Sequence, residues 1–124
     1  MSEAEAGESI RGGQILSFPA TPTPPPQVTF DRDELRLILN LYGRMVAEGE
    51  WRDYAIDFSR ERAVFAIYRR TSETPLYRIV KDPRLARRQG AYAVATGTGT
   101  VLKRGHDLAR VLRVLETPPK LVTY

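Results

Sequence analysis

Residues 53–68, DYAIDFSRERAVFAIY, decide the fold. The first six alternate: Tyr54, Ile56 and Phe58 stand against Asp53, Ala55 and Asp57. That period of two marks a strand with one apolar face. The last six, continuing into Arg69 and Arg70, are rich in β-branched and aromatic residues and read as a second strand. Only the charged, polar SRER separates the two, which suits a short hairpin turn. A parallel pair would need a crossover of roughly a dozen residues or more, so the pair is antiparallel.

Working outward, the same logic holds. PLYRIVK, 75–81, is a third strand whose proline stands at its start, where a missing donor is tolerated. Asp82-Pro83 breaks it, AYAVAT (91–96) makes a fourth, and a GTG turn leads to a short fifth, TVLKR (100–104). Every link is too short for a parallel crossover, which predicts an antiparallel meander of four or five strands.

Helices flank the strands. In TFDRDELRLILNLYGRMVAEGEW, Asp31 is an N-cap and Glu34, three residues on, completes a capping box. Phe30 and Leu35 are spaced as a hydrophobic staple. Leu35, Ile38, Leu39, Tyr42, Met45 and Val46 recur at helical spacing and are the expected buried face. Gly49 suits a left-handed C-terminal cap, and Gly43 is expected to let another element approach closely. In HDLARVLRVLE, Leu108, Val111, Leu112 and Leu115 share one face, Arg110 and Arg113 point elsewhere, and Pro118-Pro119 ends the helix. The expected class is α+β: an antiparallel four- or five-stranded meander flanked by an N-terminal and a C-terminal helix, with both helices on one sheet face.

Residues 27–124 form the single expected domain. Residues 1–26 read as a disordered tail, small and polar at first and then proline-rich in FPATPTPPP. Ile15, Leu16 and Phe18 are its apolar exception, a candidate docking motif.

Composition excludes several classes. The chain of 124 residues has no cysteine, hence no disulfide framework and no thiolate chemistry. The acidic start (Glu3, Glu5, Glu8) does not read as a signal peptide, and no apolar run is long enough to span a bilayer. A cytoplasmic location is the expectation. One histidine and no cysteine make a metal site improbable, and no cofactor motif is present. Gly97, Gly99 and Lys103 match neither a Walker loop nor a dinucleotide fingerprint, so a hairpin turn is the better reading.

The run from Phe30 to about Glu116, with LNLYGRMVAEGEWRDYAIDF, AVFAIYRR, PLYRI, RRQGAY and LKRGHDLARVLRVL, resembles a family of small alphaproteobacterial proteins catalogued as a domain of unknown function. The resemblance implies a bacterial cytosolic domain with a variable N-terminal tail, and it carries over no catalytic residues. The order helix, strands, helix, with KRGHDLAR opening the second helix, is also similar to a double-stranded-RNA-binding domain, which has three strands.

Charge is uneven along the chain. Residues 27–68 hold six Lys/Arg against eight Asp/Glu, a balance of −2, whereas residues 69–124 hold twelve against four, a balance of +8. Such asymmetry favours an anionic partner. Arg84, Arg87 and Arg88 sit in one loop or helical turn, and Lys103 and Arg104 precede the second helix, whose N-terminal N–H groups favour anions. These five are the candidate anion- or nucleic-acid-binding residues, expected to converge on one patch, and the expected partner is a nucleic acid or an acidic protein surface. Asp53 and Asp57 share a strand face and could pair as acid and base, but the solvent face of a half-buried strand looks the same. His106 reads as a helix cap or start-of-helix packing residue. The expectation is therefore a non-enzymatic binding module. A protein-interaction module using a sheet edge is the alternative, and an enzyme acting on a small anion comes third.

Overall fold

A computed structural model describes residues 26–70 and 74–116. The Pro-rich stretch up to Pro25, the apolar residues 15–18 and Pro118-Pro119 lie outside the described residues. Helix α1 (Arg32–Ala47) is followed by β1 (Asp53–Phe58), β2 (Ala63–Tyr68), β3 (Tyr77–Lys81), a 3-10 turn at Pro83–Leu85, β4 (Tyr92–Thr96), β5 (Val101–Gly105) and α2 (Leu108–Glu116). The five strands pair in chain order, each antiparallel to the next. The meander is thus confirmed with five strands, not the three of a double-stranded-RNA-binding domain.

Local chemistry sets the turns. At the β1–β2 hairpin the Ser59 hydroxyl accepts from the N–H groups of Glu61 and Arg62 and donates to the Arg62 carbonyl. SRER thereby satisfies its own backbone. At the β4–β5 hairpin Thr96 Oγ1 accepts from the Thr100 N–H at 3.0 Å, and Gly99 takes φ +106°, a left-handed conformation that glycine adopts without strain. Gly97 is required for a different reason. A Cβ there would lie 1.7 Å from the Pro75 carbonyl oxygen, so this hairpin packs against the start of the third strand segment. The Gly/Thr stretch is a turn in which the Gly99 and Thr100 N–H groups bond back to Thr96 and the Gly97 N–H donates to the Leu76 carbonyl.

Register divides the side chains between two faces. Phe65 stands opposite Ile56 and Ile79, and Ile79 stands opposite Val94. Phe65, Ile79 and Val94, with Ala63 and Ile67, face the helices and form the core with Ile38 and Leu41 of α1 and Leu108, Val111, Leu112 and Leu115 of α2, while Ile56 on the edge strand stays exposed. Both helices therefore cover one face, as the two apolar stripes required. The other face carries Ala55, Val64, Ala66, Val80, Ala93 and Ala95, with Asp53 and Asp57 on β1 and Arg78 and Arg104 farther across.

The buried face of α1 is rotated from the sequence expectation. Glu34, Ile38, Leu41 and Met45 are buried, while Leu39 and Val46 are each 40% exposed. The reason is α2. Arg44 reaches Glu116 at 3.4 Å, so the Leu41 side of α1 meets α2 and is covered from two directions. On the other flank Tyr42 packs on Tyr54 of β1, the edge strand, and Leu39 and Val46 beside it stay exposed. Gly43 is also exposed, and a Cβ placed there would meet nothing within 4 Å, so no element approaches it closely. The cap residues behave as expected: Asp31 and Glu34 form the capping box, and Gly49 takes φ 78°.

One buried polar cluster ties the layers together. Glu34 Oε1 accepts from the Asp31 N–H at 2.8 Å and from Lys81 Nζ at 2.8 Å, while the Tyr92 hydroxyl donates to Oε2. Lys81 also donates to the Thr29 carbonyl at 2.9 Å. Burial first, and the Glu34 hydrogen bond second, push the Tyr92 phenol up from its usual range. Each partner is satisfied, so the cluster anchors the start of α1 to β3 and β4.

Candidate binding site

The arginine loop joins β3 to β4. Its neck closes where the Asp82 N–H donates to the Ala91 carbonyl at 2.7 Å. The Asp82 carboxylate, largely buried, accepts from the Arg84 backbone N–H (3.1 Å), Nε (3.1 Å) and Nη2 (3.0 Å). That hydrogen-bonded pairing holds the Asp82 carboxyl below its ordinary range and raises the Arg84 guanidinium. Arg84 is thus committed within the loop. Arg87 and Arg88 are exposed and have no ion pair among the described residues.

Lys103 and Arg104 part company on β5. Arg104 stands opposite Ala93 and Lys103 opposite Val94, so they project to opposite faces. Half-buried Arg104 points its Nη1 at the Gly90 carbonyl, 3.5 Å away, beside the neck of the arginine loop. Gly90 itself lies against β5, where a Cβ would come 2.2 Å from the Gly105 carbonyl carbon. Lys103 belongs to a different place. With Arg110, Arg113 and half-buried Val114 it lines an open cleft of about 470 Å³ between β5 and α2. The five residues singled out by sequence accordingly fall into two groups on either side of β5: Arg104 with the arginine loop, and Lys103 with α2. Alternation along a strand separates what adjacency in sequence joins.

Sequence reasoning placed Arg110 and Arg113 off the buried face but assigned them no role. The signal lay in their i, i+3 spacing, on the flank of α2 that overlooks the strand just before it. Arg110 lies 3.9 Å from Asp107, with both groups well exposed, so this pair contributes little. Lys103 and Arg113 have no ion pair among the described residues. Asp107, not His106, caps α2: its Oδ1 accepts from the Ala109 N–H at 3.0 Å, and His106 is exposed just outside the helix.

A second basic cleft, about 500 Å³, is lined by Val46, Gly49, Trp51, Arg52, Arg69 and Arg70. It sits at the C-terminal end of α1, where unpaired carbonyls disfavour anions. Arg69 there already pairs with Glu50 at 3.7 Å. Asp53 and Asp57 line neither of these clefts, so no site joins the two carboxylates to the arginines there. Among the described residues no cluster of His, Asp or Glu could hold a metal ion, and no helix is long and apolar enough to cross a membrane.

No curated protein and no solved structure matches the chain. A family model described as protein of unknown function (DUF2794) matches residues 28–112, from the entry to α1, through the whole sheet, into α2. The chain belongs to that family.

Proposed function

We propose that this protein is a binding module for an anionic macromolecular partner, held by the basic surface around β5 and α2. The observation that carries the reading is the open cleft lined by Lys103, Arg110 and Arg113. Three cations from two elements, two of them without an ion pair among the described residues, form a local positive field that attracts anions and steers their approach. Arginine also grips carboxylate or phosphate through two parallel hydrogen bonds. Arg87, Arg88 and Arg104 extend positive charge past the other side of β5, and Arg84 is held back by Asp82. The test is fluorescence anisotropy with labelled polyglutamate, DNA and RNA across a range of salt. Binding should weaken steeply as salt rises, because exposed charges are screened and condensed counterions are released. Absence of salt-sensitive binding to all three polymers contradicts the reading.

A second reading, a protein-interaction module, is supported at the opposite edge. Leu39, Val46, Tyr54 and Ile56 leave large apolar side chains exposed beside β1. Contiguous exposed apolar surface is characteristic of protein contact sites.

A further inference from the structure

We propose that the cleft between β5 and α2 takes an extended acidic peptide, added to the sheet as a sixth strand beside β5. The inference rests on the anion-binding reading above and names the partner class and the mode of binding.

Three features support it. First, β5 ends the sheet, so its outer backbone groups have no neighbouring strand among the described residues. An open edge of this kind is a template for a further strand, whose main-chain hydrogen bonds supply affinity irrespective of sequence. Second, the helix flank above that edge is basic. A strand laid against β5 places every second side chain on the helix side, beside Lys103, Arg110 and Arg113. Acidic residues at alternate positions therefore meet all three cations. Third, apolar groups stand on both sides of that edge: Val114 lines the cleft on the helix side, while Leu102, next to Lys103, and Val101, opposite Ala95, lie on the other face of β5 and are 40% and 49% exposed. The residues between the acids can be apolar at no cost.

The same charges guard the edge. Lysine on an edge strand deters indiscriminate pairing, since a neutral or basic strand would bury it unpaired. An acidic strand removes that penalty, so the guard becomes a selector. The register shift between Val94 and Ala95 leaves Lys103, Arg104 and Gly105 regularly paired with β4, the part of β5 adjacent to the cleft. A nucleic acid fits less well. Among the described residues no aromatic side chain lines this cleft, whereas single-stranded nucleic acids bind largely through base stacking on such groups.

The experiment uses the full chain, isotopically labelled, and a short synthetic peptide of alternating Glu and Val. Its controls are the same peptide with methylated backbone nitrogens, polyglutamate and a single-stranded RNA. The alternating peptide should bind at least about tenfold more tightly than its methylated counterpart. It should slow amide exchange in β5 and not in β1. K103E/R113E should weaken it at least about tenfold while leaving the thermal midpoint in place. Equal affinity for the methylated peptide, or unchanged β5 exchange, overturns strand addition. If polyglutamate or RNA still binds in a Lys103- and Arg113-dependent way, the anion-binding reading survives that failure. If no anion binds, both fall. Concentration-dependent self-association that protects β5 and is abolished by K103E/R113E makes a second copy the occupant, and this too overturns the proposal.

Discussion

The two edges of the sheet each have a helix nearby and are finished differently. The helix near β1 is α1, and the helix near β5 is α2. On the β1 side, where Tyr42 of α1 packs on Tyr54, α1 leaves Leu39 and Val46 exposed and β1 leaves Tyr54 and Ile56 exposed. Acidic Asp53 and Asp57 lie on the far face of the same strand. On the β5 side, α2 presents Arg110 and Arg113 beside Lys103. β5 also carries a register shift in its pairing with β4 that β1 lacks in its pairing with β2, and the side chains beside the two edges differ in kind. An apolar flank attracts a complementary apolar surface with little regard for salt. A cationic flank repels its own kind and discriminates by charge.

The sharpest way to break the comparison is to disturb what holds the two halves together. Glu34→Ala leaves Lys81 without its carboxylate in a mostly buried site and the Tyr92 hydroxyl without its acceptor. It should cost about 3–5 kcal/mol, measured by denaturant unfolding. Close behind is Leu41→Ala, at about 2–5 kcal/mol, because Leu41 is 2% exposed where α1 meets α2 and the sheet. Leu39→Ala, on the edge-facing flank, should cost less than about 1 kcal/mol. Should Leu39→Ala prove as costly as Leu41→Ala, the β1 edge is covered in solution and the contrast between the edges fails.

A pH scan sharpens the account of the arginine loop. Asp82 has a depressed carboxyl pKa, so its pairing with Arg84 contributes stability fully above the unfolded value of about 3.9. That contribution disappears as the pH falls through the lower folded value. Asp82→Asn should therefore lose stability near neutrality, and the gap from wild type should narrow in acid. A gap that is constant down to strong acid means that the carboxylate is not what orders the loop.

Much of this was legible in the sequence, for definite reasons. Alternation at Tyr54, Ile56 and Phe58 and the brevity of SRER impose an antiparallel hairpin, and Asp31 with Glu34 fixes the start of α1. The buried arc of α1 was only half legible. Leu35, Leu37, Ile38, Leu39, Leu41 and Tyr42 spread apolar groups so widely that periodicity alone does not choose the centre of the arc. The docking of α2 chooses it, and that contact joins residues far apart in sequence, such as Arg44 and Glu116. The site shows the same pattern. A run of cations in the second half was plain, but Lys103 and Arg104 diverge because strand neighbours face opposite ways. Arg84 is withdrawn because Asp82, two residues earlier, turns back onto it.

The weakest expected effects on folding carry the strongest test of function. K103E/R113E removes the cleft's charge, and R87E/R88E removes the loop's, both at exposed positions where stability should change little. The decisive measurement is the affinity of these two variants and of wild type for one acidic polymer, polyglutamate, across a salt series. Loss of about tenfold or more in K103E/R113E, with a flattened salt dependence and a smaller loss in R87E/R88E, is what a binding centre between β5 and α2 requires. Affinity unchanged in K103E/R113E but abolished in R87E/R88E would contradict it and move the centre to the arginine loop.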